Sequence, residues 1–213
     1  MQIQRTANAG ILLELDGKRM LLDGVCQGVG PYLPTPASIQ TMLLQQSPDA
    51  LIFTHSHPDH YDGLFVAHYM QNTAGPVLGP ADIPWANPDD FRLDTVQITP
   101  IPTRHIGKAD NCAHHSYVVQ GSRCLWFLGD ASLLDWQKNA NAPKPDVIVA
   151  PFGFLIGRGW AYCKSQGVKT VVVVHMPLRE NDPYCLWQQL EQTLDDSSGV
   201  QVLIPEIGQS ITV

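Results

Sequence analysis

At 213 residues, with 44% hydrophobic side chains and a mean hydropathy of -0.06, the chain can bury a substantial core, and residues 1–213 read as one domain. A net charge of -7 with only 13 Lys and Arg argues against a nucleic-acid surface, and no apolar stretch approaches the length that spans a bilayer. Five cysteines, odd in number and lacking a C-x-x-C pair, indicate neither a disulfide framework nor a structural zinc knuckle, so most should be small buried hydrophobes. The segment Met1–Arg5 lacks the apolar core of a secretion signal and reads as a first strand, so a cytoplasmic location is expected. Residues 9–23 read as two strands around an Asp16-Gly17 hairpin turn, ended by Asp23. Residues 24–36 form a loop rich in Gly and Pro, and Ile39, Met42, Leu43 and Gln46 then set a helical period. Ala50 to Thr54 is a short buried strand, and Leu64, Phe65, Ala67, His68 and Met70 support a helix over 60–71, with His68 turned away from its start. Strands follow at 76–78, 95–101, 116–119, 124–128, 147–150 and 170–174, then a helix over 183–194 and a closing strand over 200–204. Alternating strands and helices with some antiparallel pairs place the chain in the α/β (α+β) class, as two sheets covered by helices.

The informative stretch is Leu51-Ile52-Phe53-Thr54-His55-Ser56-His57-Pro58-Asp59-His60, in which an apolar run ends and three imidazoles and a carboxylate follow within six residues. Pro58 keeps His57 extended, and in an extended segment residues two apart face the same way, so His55 and His57 project together while Asp59 and His60 leave in another direction. That geometry offers two His to one metal and an Asp plus a His to a neighbour. Neutral imidazole with carboxylate suits zinc, and also iron or manganese. His55, His105, Asp130 and His175 each follow a strand-like run at its carboxyl end, where open α/β sheets place ligands.

The run His55-Ser56-His57-Pro58-Asp59-His60 resembles the H-x-H-x-D-H signature of the metallo-β-lactamase superfamily, whose later ligands (a His, an Asp in a Gly-Asp pair and a last His) have candidates here in the same order. The resemblance implies a four-layer αβ/βα sandwich and a dinuclear metal-dependent hydrolase. Site one takes His55, His57 and His105, site two takes Asp59, His60 and His175, and Asp130 bridges. Two divalent ions, zinc first with Mn²⁺ or Fe²⁺ as alternatives, would activate a shared water for attack on an ester, lactone or phosphodiester of a small molecule, with Asp59 steering its proton. The family also implies that Asp23 supports the site from behind and that Tyr32 and Leu33 overhang it. His114 and His115 compete with His105 for the third position of site one, and His115 is the better candidate of the two for touching substrate. Arg158 and Trp160, with Phe152 and Phe154, are candidates for the substrate pocket, core packing being the alternative for the two Phe. Chain length and the 25-residue interval from His105 to Asp130 resemble the small L-ascorbate-6-phosphate-lactonase-like branch. A metal-binding or sensor module that keeps the site without hydrolysis is the alternative. The expected partner is a small molecule, with no nucleic acid and no membrane, and a homo-oligomeric assembly is compatible with all of this.

Overall fold

The computed structural model describes residues 1–107, 112–139, 141–194 and 199–213. The first sheet is built from β1 (Gln2–Arg5), β2 (Ile11–Leu15), β3 (Lys18–Leu22), β4 (Ala50–Ile52), β5 (Val77–Leu78) and the last strand β13 (Ser210–Thr212), in the order β13-β1-β2-β3-β4-β5. The second sheet takes β6 (Phe91–Leu93), β7 (Val96–Pro102), β8 (His115–Gln120), β9 (Cys124–Phe127), β10 (Val147–Pro151), β11 (Thr170–Val174) and β12 (Gln201–Leu203), in the order β12-β11-β10-β9-β8-β7-β6. Each sheet is mixed: β13-β1-β2-β3 and β6-β7-β8-β9 are antiparallel, and β3-β4-β5 and β9-β10-β11-β12 are parallel.

Alternation along the strands sorts three apolar layers. Ile11, Leu13, Met20, Leu22, Ile52, Phe127, Val172 and Val174 meet between the sheets. Leu12, Leu21, Leu51 and Phe53 turn outward onto α1 (Ala37–Gln46) and α2 (Gly63–Asn72). Val171 and Val173 turn the other way, onto α4 (Phe152–Leu155), α5 (Gly159–Ser165) and α6 (Leu186–Thr193), with α3 (Leu133–Trp136) on the same side. The result is the expected helix–sheet–sheet–helix sandwich.

Local chemistry explains the element boundaries. Asp16 and Gly17 both have positive φ, 53° and 75°, as a two-residue hairpin turn of the primed type requires. The helix expected over 60–71 starts later, at Gly63, because Asp62 caps it by accepting from Leu64 N and Phe65 N at 2.9 and 3.3 Å. Residues 57–61 are thereby left as a tight turn in which His60 N and Tyr61 N donate to His57 O. Strands β6 and β13 and helices α3, α4 and α5 had no counterpart in the sequence reading; each is too short to show a period. Cys26, Cys124 and Cys163 are buried and all five cysteines are free. Among the described residues, no helix is long and apolar enough to cross a membrane.

Candidate metal centre

The carboxyl ends of β4, β7, β9 and β11 converge on one edge of the sandwich, and the loops leaving them deliver every candidate ligand. Among the described residues, three groups of potential ligand atoms lie mutually within 4.8 Å: His55, His57 and His105; Asp59, His60 and His175; and His55, His60 and Asp130, which joins the other two. The first two groups have the membership expected from the sequence. Asp130 occupies the middle, its Oδ2 lying 3.5 Å from His60 Nε2, 3.4 Å from His105 Nε2 and 3.6 Å from His175 Nε2.

Hydrogen bonds behind the cluster decide which nitrogen each ring presents. Asp23 is fully buried and accepts from Thr54 N at 2.7 Å, from the Thr54 hydroxyl at 2.6 Å and from His60 Nδ1 at 2.9 Å. With its single proton given to Asp23, the Thr54 hydroxyl accepts from His55 Nδ1, 2.9 Å away. His105 Nδ1 donates to the carbonyl of Ile106 at 2.5 Å. So His55, His60 and His105 each commit Nδ1 to a partner behind the cluster and turn Nε2 inward, the nitrogen that a metal would take. His55 Nε2 stands 3.1 Å from His57 Nδ1, a separation suited to two ligands of one tetrahedral ion, for which ~2.0–2.1 Å bonds put ligand atoms roughly 3.3 Å apart. His175 Nε2 lies 3.0 Å from Asp59 Oδ2. Its backbone is held at φ 60° by a bond from its N–H to Asn8 O, a left-handed conformation kept by its surroundings.

Among the described residues, several atoms in the centre are buried without a hydrogen-bond partner: His60 Nε2, His105 Nε2 and Asp130 Oδ1. Buried polar groups are normally satisfied, so this set of converging orphans is what a cation-binding cage looks like from its protein side. The donor set, five imidazoles and two carboxylates, fits divalent transition metals of the zinc, manganese and iron type.

Electrostatics within the cluster are strongly coupled. Burial opposes the charge on Asp130, yet His175, His60 and His105 hold its carboxyl well below the usual range. Burial likewise opposes a charge on His60, and Asp130 and Asp23 outweigh it and push His60 well above the usual histidine value. Burial and the neighbouring His60 and His114 pull His55 well below it. Asp59 is lowered because its bond to His175 outweighs burial.

The residues flanking the centre divide differently from the sequence reading. His115 opens β8, is half-buried on the wall of a cavity of about 620 Å³, and leaves Nδ1 without a partner. His114 is the one packed into the cluster, its ring centroid 5.1 Å from His55 and 5.9 Å from His105, with Nδ1 2.8 Å from the Thr103 hydroxyl and Nε2 unpartnered. Arg158 and Trp160, expected at the substrate pocket, line neither this cavity nor its neighbour beyond Tyr32. Trp160 is 4% exposed and packs with Trp136 and Val171 behind the second sheet, and Arg158 is exposed just ahead of α5, because the chain after β10 turns into helices that cover the sheet's outer face. Phe152 and Phe154 belong to that same core. His68 is exposed on α2, away from the cluster. Tyr32 does overhang the site, its ring 4.4 Å from that of His175. Thr54 is the residue that sequence reasoning missed. A threonine at the end of a strand is unremarkable until Asp23 and His55 are seen on either side of its hydroxyl.

A family model described as a beta-lactamase superfamily domain matches residues 2–176. No curated protein matches. Among solved structures, one described as a possible metal-dependent hydrolase from Veillonella parvula is similar with a TM-score of 0.77 at 16% identity, covering 100% of this chain and 99% of that one. An isothiocyanate hydrolase from Delia radicum gut bacteria gives 0.72 at 19%, with 100% and 99% covered. A metallo hydrolase from the archaeon Ignicoccus hospitalis gives 0.68 at 16%, with 99% and 97% covered. At these identities the likeness speaks for the fold.

Proposed function

Because the chain belongs to the metallo-β-lactamase superfamily, we propose that it is a metal-dependent hydrolase whose centre takes two divalent cations, zinc first and manganese or iron as alternatives. The observation that supports this most directly is Asp130, whose Oδ2 stands 3.4–3.6 Å from three inward-facing imidazole nitrogens while its Oδ1 is left unpaired. In this reading His55, His57 and His105 would hold one ion and Asp59, His60 and His175 the other, with Asp130 available to both. Such cations, when bound, polarise the scissile group and bring the pKa of water towards neutrality.

The protein's own side chains supply the rest. Asp23 and Thr54 lock the tautomers of His55 and His60, so that two ligands are oriented before anything binds. Asp59, which shares its carboxylate with His175, is placed to accept or steer a proton at the reacting oxygen. Tyr32, pushed up to about 12 by burial and by Asp130 and Asp59, stays protonated and offers a donor over the His175 side. His115 contributes to substrate binding from the cavity on the His105 side. The bond attacked is an ester, lactone or phosphodiester of a small molecule. The lactonase-like branch is supported by chain length and by the interval from His105 to Asp130.

The test combines elemental analysis with a panel of chromogenic esters, lactones, phosphodiesters and an isothiocyanate, with Zn²⁺, Mn²⁺ or Fe²⁺ supplied. The expected result is close to two ions per chain, reduced in His57→Ala and Asp130→Asn, and turnover on at least one class that falls with metal content. Tight metal without turnover on any substrate would favour a metal-binding or sensor module instead. No stoichiometric metal would remove both readings.

A further inference from the structure

Two cavities flank the histidine cluster. One touches His105 and His115; the other, about 530 Å³, lies on the far side of the Tyr32–His175 pair. The floor of the second differs from its walls. Arg5 is 6% exposed, and among the described residues its guanidinium donates only to main-chain carbonyls: Ala7 at 3.2 Å, Pro205 and Asn8 at 3.0 Å, and Met176 at 3.2 Å. Among the described residues no carboxylate lies within ion-pair distance of it, so a full positive charge sits under the cavity with only carbonyl dipoles around it. Burial has already pulled that guanidinium down to about 10. Asn8, 2% exposed, lines the same cavity, and its Nδ2 has no acceptor among the described residues. An unused buried donor beside an uncompensated buried cation favours an acceptor oxygen between them.

The walls are apolar, with Leu33, Met176, Leu178 and Trp187 prominent. The rim carries mixed charge: exposed Glu180 and Glu206, and Arg179, which stacks on Trp187 at 3.9 Å and pairs with Glu191 at 3.2 Å. Only the floor therefore discriminates. Two further contacts tie this cavity to the centre: Asn8 O holds the backbone N–H of His175, and Met176 follows His175 in sequence.

We propose that this cavity binds the carboxylate-bearing arm of an amphipathic organic acid. Its anionic oxygens meet Asn8 Nδ2 over Arg5, its apolar stretch lies along Leu33, Leu178 and Trp187, and its reactive end reaches past Tyr32 to the His175 side of the centre. The proposal rests on the hydrolase reading only in calling that ligand a substrate; the binding site stands without it.

The test is calorimetric titration of the metal-replete protein with octanoate, with 1-octanol as the uncharged control. Octanoate should bind at least tenfold more tightly than octanol, and Asn8→Asp, which keeps the backbone carbonyl that holds His175, should weaken octanoate at least tenfold. Asp130→Asn, expected to lose metal, should keep octanoate binding within threefold. Leu178→Trp, which fills the cavity from its rim, should abolish binding and serves if Asn8→Asp does not fold. Equal binding of the two probes, no effect of Asn8→Asp or Leu178→Trp, or loss of octanoate with the metal would each overturn the proposal, the last by assigning the anion to the cations. No arm reads turnover, so an inactive protein and an empty cavity are separate outcomes.

Discussion

Replacing Asp23 by Asn exchanges one carboxylate oxygen for an NH₂ and should disable ligands on both proposed metal positions. Asp23 Oδ1 accepts from Thr54 N, and its Oδ2 accepts from both the Thr54 hydroxyl and His60 Nδ1. An Asn side chain keeps the backbone bond only by placing its NH₂ where Oδ2 stood. The Thr54 hydroxyl must then accept there and donate to His55 Nδ1, and His60 Nδ1 must also become an acceptor. Both rings are driven to the tautomer with a proton on Nε2, the nitrogen that faces the cluster. Loss of such supporting contacts costs ~10–100-fold in metal affinity each. Two ligands therefore predict roughly 10²–10⁴-fold weaker binding, or about 3–6 kcal/mol at ~1.4 kcal/mol per tenfold. The metal-free fold should suffer less, about 1.5–3 kcal/mol for one charge-assisted bond, since the rearranged network is again satisfied. Competition against a chromogenic zinc chelator, alongside urea melts of the stripped protein, separates the two quantities. If Asp23→Asn binds zinc within threefold of the parent protein, the tautomer argument is refuted.

Gly129→Ala should strike the same network from the opposite side. Gly129 has φ 52°, and an added Cβ would lie 2.5 Å from Thr54 Cγ2 and 2.8 Å from its Oγ1, so left-handed strain and overpacking together predict about 2–5 kcal/mol in a denaturant melt, with weakened metal binding. Trp160→Ala should cost about 3–5 kcal/mol of stability while leaving metal content unchanged, as expected of a core residue; an effect on substrate affinity at unchanged stability would restore the pocket assignment. His114 supplies a pH signature. Burial pulls it down to about 3 from 6.5, so between those values the unfolded chain takes up a proton that the folded chain refuses, and stability is lost as pH falls. From pH 6.5 to 4.5 this amounts to ~2–3 kcal/mol in the metal-free protein at ~1.4 kcal/mol per pH unit, and His114→Gln should flatten that part of the profile; equal slopes in the two proteins would remove the assignment.

Much of the centre was legible in the chain itself because the motif is local. Residues 55–60 follow a three-residue strand, and an extended backbone followed by a turn sends His55 and His57 one way and Asp59 and His60 another whatever the rest of the molecule does. His105, Asp130 and His175 were legible for a related reason: each closes an apolar run, and strand ends in α/β sheets gather on one edge. Local sequence cannot say which long-range neighbour satisfies a polar atom, and that is where tertiary structure decided. Asp23 lies 31 residues before Thr54, and nothing in either segment announces that they share a proton network. The adjacent His114 and His115 were indistinguishable as letters, and only the strand register sent one ring into the cluster and left the other on a cavity wall. Trp160 and Arg158 followed a strand whose end lies near the site, yet the backbone after it turned away to cover the sheet. Burial there is set by helix packing, a property of the assembled layers that four residues of sequence do not contain.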